Sequence, residues 1–148
     1  MINLHDIESA ITERLKGAGH TVTAAEVEEG FNKPTFFIDI FQNSVVPINQ
    51  FMELVNVSVE LRYFSEIETR ETLVEMSDEL RNILMSIPLK IIDRFLSISE
   101  LTFDIDNAAL LTYFELEFMR ETATIEKVYE QIEKLEVQIG YGSSSGTD

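Results

Sequence analysis

Between Met52 and Phe64 the chain alternates without a break. Val55, Val57, Val59, Leu61 and Tyr63 fall on one parity, and Asn56, Ser58, Glu60 and Arg62 on the other. A period of two predicts a strand with one dry face and one wet face. A second strand is expected over about Thr35–Gln42, entered from Pro34, where the missing donor does least harm. Its apolar residues occupy both parities: Phe36, Ile38 and Ile40 on one, and Phe37 and Phe41 beside Asp39 on the other. Later, Leu101, Phe103 and Ile105 alternate with Thr102, Asp104 and Asp106, and "DNAA" turns the chain. Leu110–Arg120 then runs back with Phe114, Leu116 and Phe118 on one face and Glu115 and Glu117 on the other.

Three segments carry the helical period instead. Leu4–Lys16 has the stripe Ile7, Ala10, Ile11 and Leu15, with Asn3 placed to cap it, Asp6 close to a capping box, and Gly17 and Gly19 to stop it. Thr69–Ile87 has Leu73, Met76, Leu80, Ile83, Leu84 and Ile87 on its buried side and ends before Pro88. Thr124–Leu135 has Ile125, Val128, Ile132 and Leu135. A short strand is expected near Thr21–Glu26, and "LEVQIGYG" alternates over a few extended residues. Residues 140–148, ending in "SSSGTD", are expected to be a flexible tail on a single domain of residues 1–139. The order α-β-β-α-β-β-α predicts an α+β fold, a mainly antiparallel sheet packed with helices on one face.

The segment between the first two strong strands stands out. Asn43–Phe51, "NSVVPINQF", is expected to be a connector, longer than the usual hairpin loop of about two to five residues. Val45, Val46, Pro47, Ile48 and Phe51 make it more apolar than a solvated loop should be, and such a patch usually marks a contact surface. With Phe37 and Phe41 these residues form a candidate interface with another subunit or a tube. Helices over both faces of the sheet would account equally well for aromatics on both parities.

Charge narrows the function. Eleven Lys and Arg against 27 Asp and Glu give the 148-residue chain a net charge of −16. Such a surface repels nucleic-acid phosphates and anionic membranes, which argues against sequence-specific nucleic-acid binding. No apolar run is long enough to span a bilayer, and the start lacks the basic and apolar regions of a secretory signal. The chain has no cysteine, so it has neither disulfides nor thiolate chemistry. His5 and His20 flank the first helix without a matching motif. Asp104 and Asp106 share a strand face, but a hard cation wants about six oxygens. No nucleophile elbow or phosphate-binding glycine loop is present. The expectation is a protein without catalysis, cofactor or metal.

The run "KPTFFIDIF…VNVSVELRYFS", followed by "ETLVEMSDELRNIL", resembles the small tail terminator (tail completion) proteins of tailed phages and phage-like particles, in particular those of Gram-positive prophages and phage-tail-like bacteriocins. Such proteins begin with an amphipathic helix. A Pro-aromatic-aromatic strand, a variable connector and a strand ending in an aromatic pair like Tyr63-Phe64 follow. The likeness covers about Met1 to Glu121, and the connector departs from it in being poor in Gly and Arg and rich in Val, Ile and Phe. The resemblance implies a structural role: a ring, commonly of six subunits, that caps the head-proximal end of the tail tube, ends polymerisation and joins neck, head or collar. Its partners would be copies of itself, the tail tube protein, and a sheath, neck or collar protein, in a particle assembled in the bacterial cytoplasm. If DNA passes through the ring, Asp104, Asp106, Glu115 and Glu117 are candidates for an acidic lumen. The alternatives are a head–tail joining or neck protein, or an acidic cytoplasmic adaptor for a basic partner.

Overall fold

The computed structural model describes residues 2–24, 30–122, 130 and 132–135. Helix α1 spans Leu4–Gly17 and opens with the capping box: the Asp6 N–H donates to Asn3 Oδ1 and the Asn3 N–H to Asp6 Oδ2, both at 2.9 Å. At its other end Gly19, at φ +94°, lets the chain turn back, so that the N–H groups of Gly19 and His20 reach the carbonyls of Lys16 and Leu15. Strand β1 is short, Val22–Thr23. It lies parallel to β2, Thr35–Pro47, which forms a hairpin with β3, Met52–Phe64.

Helix α2 spans Arg70–Met85, capped by Thr69, whose side chain accepts the Thr72 N–H. It stops short of the expected Ile87, and Ile87 is exposed. Pro88 keeps Ile87 out of helical geometry, and the Arg14 guanidinium donates to the carbonyls of Ile83, Ile87 and Pro88, each at 2.9 Å, at and just beyond the helix end. "LKIIDRF" forms a small hairpin of its own, β4 (Leu89–Ile91) with β5 (Arg94–Leu96). Finally β6, Thr102–Asp106, turns through Asn107 and Ala108, both at positive φ, into β7, Ala109–Glu121.

The main sheet has five strands in the order β1-β2-β3-β7-β6, antiparallel except at β1. This is the expected α+β fold. Cross-strand register puts Ile38, Leu61 and Thr112 in one row and Phe36, Tyr63 and Leu110 in another. These rows and their same-parity neighbours pack on Ile7, Ile11 and Leu15 of α1 and Leu73, Leu80 and Leu84 of α2 in one core. Leu89 and Ile91 close it beside α1. Where the core meets the end of the β2–β3 hairpin, the Arg120 guanidinium donates to Glu53 Oε2 and to the Ile2 carbonyl.

Two further expectations need correction. Asn43–Phe51 is not a loop: β2 continues through Pro47 and pairs with β3 as far as Glu53, leaving a turn at residues 48–51. A bulge at Asn43 absorbs the change of register, and Pro47 is tolerated because β2 is unpaired on its other side there among the described residues. In the C-terminal segment residues 132–135 are helical, but Ile132 and Leu135 are exposed and not part of a buried stripe. Ile125, Val128, the extended stretch after Leu135 and the C-terminal tail lie outside the described residues.

Candidate interaction surfaces

Parity divides the sheet. The helix side takes one set of side chains, and the other set stands on an open face. One end of that face is closed locally. Phe31 packs on Phe37 and Phe64 with centroids 4.9 Å from each, and the Arg62 guanidinium lies 5.3 Å from the Phe37 ring centre. Phe37 is therefore only 1% exposed within the chain itself. The strand that reads apolar on both parities has helices on one side and this aromatic cap on the other.

Beyond the cap the open face turns acidic. Asp39, Glu60, Tyr113 and Thr102 form one row straight across four strands. Glu115 pairs with Ser58, Glu117 with Asn56, Asp104 with Leu111 and Asp106 with Ala109. The four residues expected on an acidic wall thus share one face, and Asp39 and Glu60 join them. Asp39, Phe41, Ser58, Glu60, Tyr113 and Glu115 line a shallow hollow of about 520 Å³. Burial, a hydrogen bond to Glu60 and the charges of Glu60, Asp104 and Asp106 hold the Tyr113 phenol above its usual pKa.

The third region is the end of the β2–β3 hairpin. Asn49 Oδ1 accepts the N–H groups of Phe51 at 2.7 Å and Met52 at 3.0 Å, and the Ile48 N–H donates to the Met52 carbonyl. Thr122 ties the turn to the end of β7, its N–H donating to the Phe51 carbonyl at 2.7 Å and its hydroxyl to the Gln50 carbonyl at 2.6 Å. Asn43, at the bulge, donates to Asn56 Oδ1 at 2.7 Å. The turn is thus held by specific bonds, yet its apolar side chains face water: Val46 is 48% exposed, Ile48 52% and Phe51 44%. Phe41, 67% exposed, stands apart from them, opposite Ser58 beside the acidic hollow. Val45 is exposed on the helix side, and Pro47 completes the patch.

The remaining candidates sit apart. His5 is exposed on α1. His20 pairs with Glu79 of α2 and meets the edge of Phe36 at 5.4 Å. No group of three or more metal-ligating side chains is gathered among the described residues. Phe31, Glu60 and the Glu53–Arg120 pair were not singled out by sequence. Glu60 carried a usable signal, since it shares the wet parity of β3 that faces Asp39 and Tyr113.

Among the described residues no helix is long and apolar enough to cross a membrane. Compared with known proteins, the sequence matches a family model described as "Phage tail terminator protein" over residues 6–140. No curated protein matches the chain.

Proposed function

The chain belongs to the phage tail terminator family, structural components of the virion that act in tail assembly, and from that premise we propose that copies of it close into a ring, six to a turn, on the head-proximal end of the tail tube. There the ring ends tube polymerisation and offers its far side to a neck, head or collar protein. The observation that carries this reading is the hairpin end. Val46, Ile48 and Phe51 are held in water by a turn with its own hydrogen bonds and stand together at one end of the sheet; Ile67, Ile87 and Phe95 are exposed elsewhere. Keeping apolar groups exposed on an ordered surface costs stability unless another surface covers them. The partner is the adjacent subunit or the tube beneath it.

The acidic face suits the wall of a channel. Phosphates passing Asp104, Asp106, Glu115 and Glu117 would be repelled and would not lodge. In a headless, bacteriocin-type particle of a Gram-positive host the same charge would serve solubility alone.

The test is a triple variant, Val45→Ser, Val46→Ser and Ile48→Ser. These side chains are exposed, so the subunit should keep its circular dichroism spectrum and its monomer mass. Electron microscopy of the variant mixed with tail tubes should show bare tube ends where the parent shows capped ones. Full caps with the variant would remove the hairpin end from the interface.

A further inference from the structure

The stretch "IEKVYEQIEKLEVQI", residues 125–139, repeats itself after seven residues: Ile-Glu-Lys-Val at 125–128 becomes Ile-Glu-Lys-Leu at 132–135. Ile125, Ile132 and Ile139 share one position of this heptad, and Val128 and Leu135 fall three residues further on. That is the spacing of the a and d positions of a coiled coil, where the seam of one helix meets the seam of another. The helices that pack on the sheet are written differently. Their buried residues step by four, Ile7-Ile11-Leu15 in α1 and Met76-Leu80-Leu84 in α2. The C-terminal segment alternates steps of three and four.

Residues 132–135 are helical, and all four are exposed. Glu130 and Lys134 stand four apart with the acid first, the order that supports a helix on its solvent side. A short helix seated on nothing is marginal in water. The apolar pair Ile132 and Leu135 therefore calls for a cover from outside the chain. The positions that flank such a seam, e and g, hold Tyr129, Gln131, Glu136 and Gln138. In a chain with 27 acidic residues they bring only one, so no like-charged pair opposes the approach of a second copy.

We propose that this segment pairs with the same segment of a second copy as a two-stranded parallel coiled coil, with Ile132 and Leu135 at its seam. Ile at a with Leu at d is the combination that favours two parallel strands. The pairing goes beyond the ring reading and does not depend on it. It also gives the exposed hairpin end a neighbour. Thr122, bonded through its N–H and its hydroxyl to the carbonyls of Phe51 and Gln50, precedes the first seam residue by three positions. Three residues span at most roughly 11 Å. Joining two seams therefore sets the hairpin ends of the two copies side by side, with Val46, Ile48 and Phe51 of each on offer to the other.

Two heptads are short, so the pair forms and parts readily in a free chain. A covalent trap catches it. The chain has no cysteine, so each introduced thiol has only its own copy in the second chain to bond. Leu135→Cys places a thiol at d, and Glu133→Cys places one at b, on the outer side. Both positions are exposed, so the fold is kept. A disulfide needs Cα atoms within about 7 Å, which two d positions of a parallel pair reach and two b positions do not. Under mild oxidation, without tubes, Leu135→Cys should cross-link to a dimer at least ~10-fold faster than Glu133→Cys. Adding Ile132→Asp puts like charges at the seam and should bring the Leu135→Cys rate down to that of Glu133→Cys. Equal rates for the two single-cysteine proteins would mean that something other than a second copy covers this helix, and would overturn the pairing. So would a Leu135→Cys rate that Ile132→Asp leaves unchanged. Neither result bears on tube ends: the ring reading fails separately, if the parent protein leaves them bare.

Discussion

The two faces of this sheet are made by the same strands and separated by one residue of register, yet they are built on opposite terms. On the helix side Val57, Leu61, Leu110 and Leu116 are sealed against two helices. On the open face Asp39 stands directly opposite Glu60, and Glu115 and Glu117 stand in water. The first arrangement lowers the free energy of a lone subunit; the second raises it. A sheet needs only one dry face to be specified, because a slip by one residue would expose the whole core. The other face is free to carry chemistry that the subunit does not need for folding.

The largest expected effect lies on the dry face. Leu80 of α2 is fully buried in the main core. Leu80→Ala should cost about 3 kcal/mol, from lost transfer energy and the cavity left behind. Urea unfolding with unchanged slope would measure it. A loss below about 1 kcal/mol would mean that α2 is only loosely seated and that the contrast between faces is overstated.

The aromatic cap is where the contrast could break. Phe37 points to the open face but is buried by Phe31, Phe64 and Arg62. Phe37→Ala should cost about 2–3 kcal/mol, somewhat below a central core truncation, because Phe31 is free to settle into the gap. It should leave the proposed ring formation by the remaining folded protein unchanged, since the side chain is already covered within the chain. A cost near zero, with loss of rings, would make Phe37 part of the contact surface.

How much of this was legible depended on where the informative contacts lie. The faces of β3, β6 and β7 could be read residue by residue, because a period of two leaves little freedom once one face is apolar. The capping box at Asn3 and Asp6 was equally plain, being local in sequence. The hairpin end misled because Asn43, Pro47 and Asn49 are turn residues by composition, whereas here they serve a bulge, an edge position and a turn cap. The β4–β5 hairpin was hidden by Ile92, at φ +58°, a conformation that β-branched residues rarely adopt and turn rules assign to Gly or Asn. The cap over Phe37 could not be read, since Phe31 reaches it from outside any strand. The acidic residues were legible singly. That Asp39 and Glu60 join them required the register of β2 on β3.

The smallest expected effect makes the sharpest test of the contrast. Asp39 and Glu60 are direct cross-strand neighbours, and Glu60 in turn faces Tyr113. Asp39→Asn removes one of two facing charges without changing the size of the side chain. It should stabilise the lone subunit by about 0.5 kcal/mol at low salt. The gain should fade as salt rises past about 0.5 M, because the Debye length falls below the reach of exposed charges. A stabilising substitution at an exposed position shows that the natural residue is not there for folding. If Asp39→Asn instead destabilises, the carboxylate has a favourable partner within the subunit, and the open face belongs to the fold in the same sense as the core. If it stabilises and the gain disappears in salt, the acidic face is a standing cost to the subunit, retained for what the face meets after assembly.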